Sequence, residues 1–187
     1  MKPFILVVAL AAILAACSNP QKSNAQTMIA TGHTAKTAKA IPQNENLNEI
    51  ITQYLHLKNA LTSDNSEEAA TAGTELHTAL ANLGKLVMTA AQKKAYNDIA
   101  GDAEENAEHI SENGGNIKHQ REHFESLSDD IYDLIKSYGT SQTLYKDYCP
   151  MANASWLSET KGIKNPYLGS KMSTCGSVKE TINKNNP

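Results

Sequence analysis

The sequence predicts an all-α protein, an antiparallel four-helix bundle on which an irregular C-terminal segment packs. Apolar residues recur at spacings of three and four in four successive segments. The breaks between those segments are short and are either polar or contain glycine. Alanine is plentiful and aromatic residues make up only 5% of the chain, which favours packed helices over strands rich in aromatic and β-branched side chains.

The first two predicted helices follow from this apolar spacing. The first begins at Leu47 and ends before a polar turn at residues 63–66. The second begins at Ser66, which we interpret as its cap because two acidic residues follow it and favour a helix N-terminus. It runs to about Leu83, and Gly84 is a natural stop.

The third and fourth helices lie on either side of a glycine pair. The third begins at Thr89 and ends at residues 114–115, and the fourth runs from Asn116 to about Tyr138, where Gly139 ends it. The fourth has the clearest apolar stripe, formed by Ile117, Phe124, Leu127, Ile131, Leu134, Ile135 and Tyr138. Gln120 falls inside that stripe, so its amide needs a buried partner, for which we expect backbone of the C-terminal segment.

The C-terminal segment, residues 144–187, changes character. It contains three prolines and many asparagines and shows little periodicity, so we expect an irregular segment folded onto the helices. It also holds Trp156, Cys149 and Cys175. Because long ordered loops tend to be functional, we expect this segment to carry function.

The N-terminus has the pattern of a bacterial lipoprotein signal peptide. Lys2 precedes an apolar run from Phe4 to Leu14 that is too short for a stable membrane span, and the sequence LAAC ends at Cys17. We therefore expect removal of residues 1–16 and acylation of Cys17 by more than one chain, which holds a protein stably on a bilayer. The alternatives are an ordinary secretory signal or a single membrane anchor.

Two further parts follow the signal. Residues 17–44 are polar with few large apolar groups, and we interpret them as a flexible tether from the lipid. Residues 45–187 form the helical domain. Ser18 and Asn19 are not the aspartate that retains some lipoproteins at an inner membrane, so we expect an outer-membrane anchor facing the periplasm.

Charge and composition exclude several classes of function. Loss of Lys2 with the signal changes the formal charge from −3 to −4, and Arg121 is the single arginine. The sequence therefore lacks the concentrated positive charge that nucleic-acid binding needs. No hydrolase triad, phosphate loop or carboxylate pair stands out, and no small-molecule substrate is evident. We therefore predict a protein that is not an enzyme.

Sulfur-bearing residues form the strongest candidate site. Cys149-Pro150-Met151 and, further on, Met172 and Cys175 each pair a thiol with a thioether. Soft sulfur donors select Cu(I) and, by the same softness, Ag(I). With Cys17 lipidated, Cys149 and Cys175 are the remaining thiols, and in an exported protein they equally suit a disulfide that closes the segment.

A second candidate is a set of histidines near the glycine pair. His119 and His123 are four residues apart and share a flank of the fourth helix. His109 lies shortly before the glycine pair. Imidazoles so placed are able to reach one metal ion. The simpler interpretation of such a pair is that both side chains are polar groups exposed to solvent.

The chain resembles a helical domain of unknown function that occurs as stand-alone lipoproteins and appended to periplasmic adaptors of copper and silver efflux pumps. The resemblance runs from Tyr54 to Ile182. It rests on the stretches YLHLKNAL, QREHFESLS, YCPMA, WLS and IKNPY, and on residues 172–176. The chain departs from the family pattern in a short link at residues 152–155 and in polar residues after Met172.

The resemblance implies a role in copper handling and a soft-metal ligand set. That set consists of Cys149, Met151, Met172 and Cys175, with His123 as an additional ligand for copper(I). We therefore expect a periplasm-facing lipoprotein that binds Cu(I) or Ag(I) and assists heavy-metal efflux components. The alternative is a non-metal interaction module stapled by a Cys149–Cys175 disulfide.

Overall fold

The structure is a computed structural model, and it describes residues 43–184. The predicted signal peptide at residues 1–16, the lipidation site Cys17 and the tether up to residue 42 lie outside the described residues. Among the residues described, no helix is both long enough and apolar enough to span a membrane.

Residues 43–184 contain four helices, in the order that the sequence predicts. They are α1 (Gln43–Thr62), α2 (Ser66–Leu83), α3 (Ala90–Glu112) and α4 (Ile117–Tyr138). Helix α1 begins two residues before the predicted start of the domain. Consecutive helices pack against each other across connections of three, six and four residues, so neighbours run antiparallel.

The helix starts are set by side-chain caps. Thr89 and Gln92 form a reciprocal capping box at α3, and the Asn116 side chain accepts a hydrogen bond from the His119 backbone at α4. The prediction of Ser66 as the cap of α2 is wrong. Asn65 is the cap and accepts from the Glu68 backbone, which leaves the Ser66 hydroxyl for contacts elsewhere.

The all-α prediction is wrong in the C-terminal segment. Up to residue 184, that segment contains three short strands, β1 (Leu144–Cys149), β2 (Ala154–Ser158) and β3 (Ser177–Ile182), in one antiparallel sheet of order β2-β1-β3. Each strand has five or six residues, and a register shift interrupts the β1–β3 pairing. Strands this short contain too few alternating apolar and polar residues for the sequence pattern to distinguish them from the proline- and asparagine-rich residues around them.

A buried hydroxyl joins the sheet to the helices. The Oη atom of Tyr54 lies 2.9 Å from Ser128 Oγ and accepts a hydrogen bond from the Leu157 backbone. Because the Ser128 hydroxyl donates to the Phe124 carbonyl, Tyr54 is the donor to Ser128. One side chain of α1 thus connects α4 and β2 inside the core.

A buried charged group lies at the same junction. Lys58 is fully buried and its Nζ donates to Glu159 at 2.8 Å. Asp147 of β1 is also fully buried, and neither carboxyl oxygen has a hydrogen-bond partner among the described residues. Burial raises the pKa of Asp147 to about 7, although the nearby Lys58 ammonium acts in the opposite direction.

This raised pKa makes stability depend on pH. Between about pH 4 and pH 7 the folded protein holds a proton on Asp147 that the unfolded chain has released, so stability falls as pH rises through this range. The slope from one proton is at most about 1.4 kcal/mol per pH unit. Chemical unfolding of Asp147→Asn should give a higher unfolding free energy than the natural chain at pH 8 and a flatter profile. An Asp147→Asn profile parallel to that of the natural chain would contradict this account.

Candidate metal centre

Three histidines meet where α3 and α4 join. His109 lies in the last turn of α3, while His119 and His123 lie one turn apart on α4. One ring nitrogen from each lies within 4.8 Å of the others. The His123 ring stacks on His109 with centroids 4.4 Å apart and meets His119 edge-on at 4.6 Å. The sequence groups these three histidines around the glycine pair, and the structure brings their rings together.

The spacing suits a metal ion after small ring movements. Nitrogens bound tetrahedrally at 2.0–2.1 Å from zinc lie roughly 3.3 Å apart. All three side chains are partly exposed, His109 at 43% and His119 at 36%, so rotation about their side-chain bonds is not blocked by core packing. Three imidazoles from two helices leave a further coordination position open to water or a carboxylate.

Two glutamates flank the cluster. Glu105 Oε1 lies 3.7 Å from His109 Nε2, and Glu122 Oε2 lies 3.5 Å from His119 Nδ1. Burial, together with the neighbouring His109 and His119, lowers the pKa of His123. At neutral pH the His123 imidazole is therefore neutral and able to donate a lone pair to a metal.

Gln120 sets the geometry of this junction. It is fully buried, and its amide nitrogen donates to the carbonyls of Ser66 and Ile110, while its oxygen accepts from the Ser66 hydroxyl. Its partners therefore belong to α2 and α3, which corrects the expectation of backbone from the C-terminal segment. Ile110 directly follows His109 in sequence, and Gln120 directly follows His119. The hydrogen bond from the Gln120 amide to the Ile110 carbonyl therefore fixes the positions of these two histidines relative to each other.

The sulfur-bearing residues lie elsewhere. Cys149 and Cys175 form a disulfide with their Cα atoms 5.7 Å apart, so in this state neither sulfur is a free thiolate. Met151 and Met172 are exposed, at 65% and 41%. His123 contacts Asn106, His109 and His119 on α3 and α4, so it clusters with histidines and not with the cysteines.

The sequence does not predict one residue of the candidate centre, Asn106. Asn106 Oδ1 lies 2.9 Å from His123 Nδ1. The spacing of three between Asn106 and His109 places both on one face of α3, which was the available signal. Nothing in the sequence shows that this face meets His123, because that depends on how α3 and α4 are rotated against each other.

Comparison with known families agrees with the helical resemblance. A family described as proteins of unknown function, DUF3347, matches residues 50–143, which is half of the chain. The chain belongs to this family. The matched range takes in the three histidines and ends just before β1, so the disulfide lies outside it. No curated protein and no solved structure matches the chain.

The disulfide should contribute to stability through the loop that it closes. It joins residues 26 apart in sequence, and a loop of this length implies about 3–4 kcal/mol from reduced entropy of the unfolded chain. We expect the Cys149→Ala/Cys175→Ala variant to unfold at a correspondingly lower denaturant concentration. A reducing agent should lower the stability of the natural chain to a similar value and leave the variant unchanged. Equal stability of the natural chain with and without reductant would contradict this expectation.

Proposed function

We propose that this protein binds a transition-metal ion in the cell envelope, with copper as the best match, through His109, His119 and His123. The observation that carries the proposal is the convergence of three imidazoles from two helices within 4.8 Å. Such convergence offers several ligands to one ion without rearrangement of the backbone. The metal stays at the surface, where partly exposed ligands allow it to be taken up and released.

The chemistry of the donors supports copper. Imidazole suits copper, zinc and nickel, and among divalent first-row ions Cu(II) has the highest affinity for a given nitrogen site. The role proposed is holding or transferring the metal and not catalysis. Heavy-metal efflux components are the proposed partners, on the strength of the resemblance to domains appended to pump adaptors.

The location is part of the proposal. The LAAC sequence supports acylation of Cys17, and the polar residues after it support a tether that holds the helical domain away from the membrane. The absence of an aspartate at positions 18 and 19 favours the outer membrane and a site facing the periplasm.

The test is metal binding by purified protein. We expect about one Cu(II) per chain by elemental analysis after gel filtration, and tighter binding of Cu(II) than of Zn(II) in titration calorimetry. His123→Ala should weaken Cu(II) binding by at least about a hundredfold, equivalent to about 2.7 kcal/mol, because one of three ligands is lost.

His77→Ala is the matched control, since His77 is also a partly buried helical histidine but lies on α2, outside the cluster. It should bind Cu(II) like the natural chain. Equal losses in His77→Ala and His123→Ala, or undiminished binding by a variant in which all three cluster histidines are Ala, would overturn the proposal.

A second candidate function uses the sulfur set. Reduction of the disulfide would leave two thiols held on neighbouring backbone, with the exposed thioethers of Met151 and Met172 two and three residues away from them. Thiolate and thioether donors favour Cu(I) and Ag(I). If the disulfide persists in the envelope, the same segment instead supports the alternative of a stapled interaction module.

Two variants separate these candidates. Cys149→Ala/Cys175→Ala should keep the Cu(II) affinity of the natural chain if the histidines bind the metal. Competition with a Cu(I) chelator under reducing conditions then measures the sulfur site. Weaker Cu(I) binding by this variant and by Met172→Leu would support the sulfur set, and unchanged Cu(I) binding would exclude it.

A further inference from the structure

The amide of Asn106 has a defined orientation. Its Nδ2 donates to the Asp102 carbonyl at 2.9 Å, and the Asp130 carboxyl group lies nearby. Its Oδ1 lies 2.9 Å from His123 Nδ1. Rotating the amide by half a turn would place its oxygen against the Asp102 carbonyl, which is itself an acceptor. The oxygen therefore faces the histidine.

This orientation determines where the proton of His123 lies. An amide oxygen only accepts hydrogen bonds, so the nitrogen facing it must carry hydrogen. His123 is consequently the tautomer with hydrogen on Nδ1 and a free lone pair on Nε2. A histidine that ligates metal commonly donates its other ring N–H to an oxygen acceptor, which fixes both the tautomer and the angle of the ring.

We propose that Asn106 is the positioning residue of the histidine cluster, holding His123 so that its Nε2 binds the metal. The inference rests on the proposed function at the same three histidines. A chain of hydrogen bonds runs from the Asp102 carbonyl through the Asn106 amide to the His123 ring. This arrangement strengthens the acceptor and makes the ring nitrogen a better donor to a metal.

The tautomer is measurable without metal. In ring-nitrogen NMR spectra of the metal-free natural chain at pH 8, His123 should show a protonated Nδ1 and a bare Nε2. Asn106→Leu, which keeps the size of the side chain and removes the acceptor, should yield a tautomer mixture. A His123 signal with hydrogen on Nε2 in the natural chain would overturn the inference whatever the metal affinity is.

The second measurement is metal affinity. Asn106→Leu should weaken Cu(II) binding by roughly 10- to 100-fold, the range for loss of an outer partner of a ligating histidine. The exchange Asn106→Asp with Asp130→Asn keeps an acceptor facing His123 and conserves the charge of the pair, so it should restore most of the affinity. Asn97→Leu, at an exposed position of the same helix, is the control and should change neither the tautomer nor the affinity.

The outcomes separate this inference from the proposed function. Cu(II) binding that depends on His123 but not on Asn106 would leave the metal site standing and overturn the positioning role. Failure of the natural chain to bind Cu(II) would overturn both. Loss of affinity in Asn106→Leu with an unchanged tautomer and no rescue by the exchanged pair would also overturn the positioning role, because it would indicate general damage to the helix.

Discussion

The helical half of the protein depends on the hydrogen bonds of one buried amide, that of Gln120. In the apolar interior this side chain must be satisfied, and it is satisfied by Ser66 and Ile110 at the ends of two other helices. The Ser66 hydroxyl in turn accepts from the Gly115 backbone in the α3–α4 turn. Sliding of α3 against α4 would break several of these hydrogen bonds at once. The bonds therefore fix the relative positions of the two helices that carry the histidine cluster.

The sheet depends on a different set of contacts. Tyr54 contributes its hydroxyl to Ser128 and Leu157, and Tyr167 donates to the Ser155 carbonyl while its ring packs near Phe124 and Trp156. Buried hydroxyl groups and aromatic rings thus hold the sheet against the helices. The disulfide joins the end of β1 to the loop just before β3. The histidines and the sulfur residues belong to separate parts of the structure, so they offer two separate sets of donors with different chemistry.

Charge around the cluster favours a cation. Glu105 and Glu122 approach two of the rings. Burial and nearby acids such as Asp102 raise the pKa of Asp130, close to Asn106, to about 6. Three imidazoles with carboxylates around them attract a positive ion, and the ion balances the negative charge of the carboxylates. The same acids, without imidazoles, would be an ordinary solvated helix face.

The sequence alone determined the four helices, their order and the pairing of His119 with His123, because these depend on local periodicity, caps and glycine stops. Tertiary structure decided the rest. Strands of five or six residues become a sheet only when their partners arrive from elsewhere in the chain. Whether His109 and Asn106 face His123, and whether Cys149 reaches Cys175, depends on helix rotation and strand register. Helix rotation and strand register depend on contacts between residues far apart in sequence, so neighbouring residues alone do not predict them.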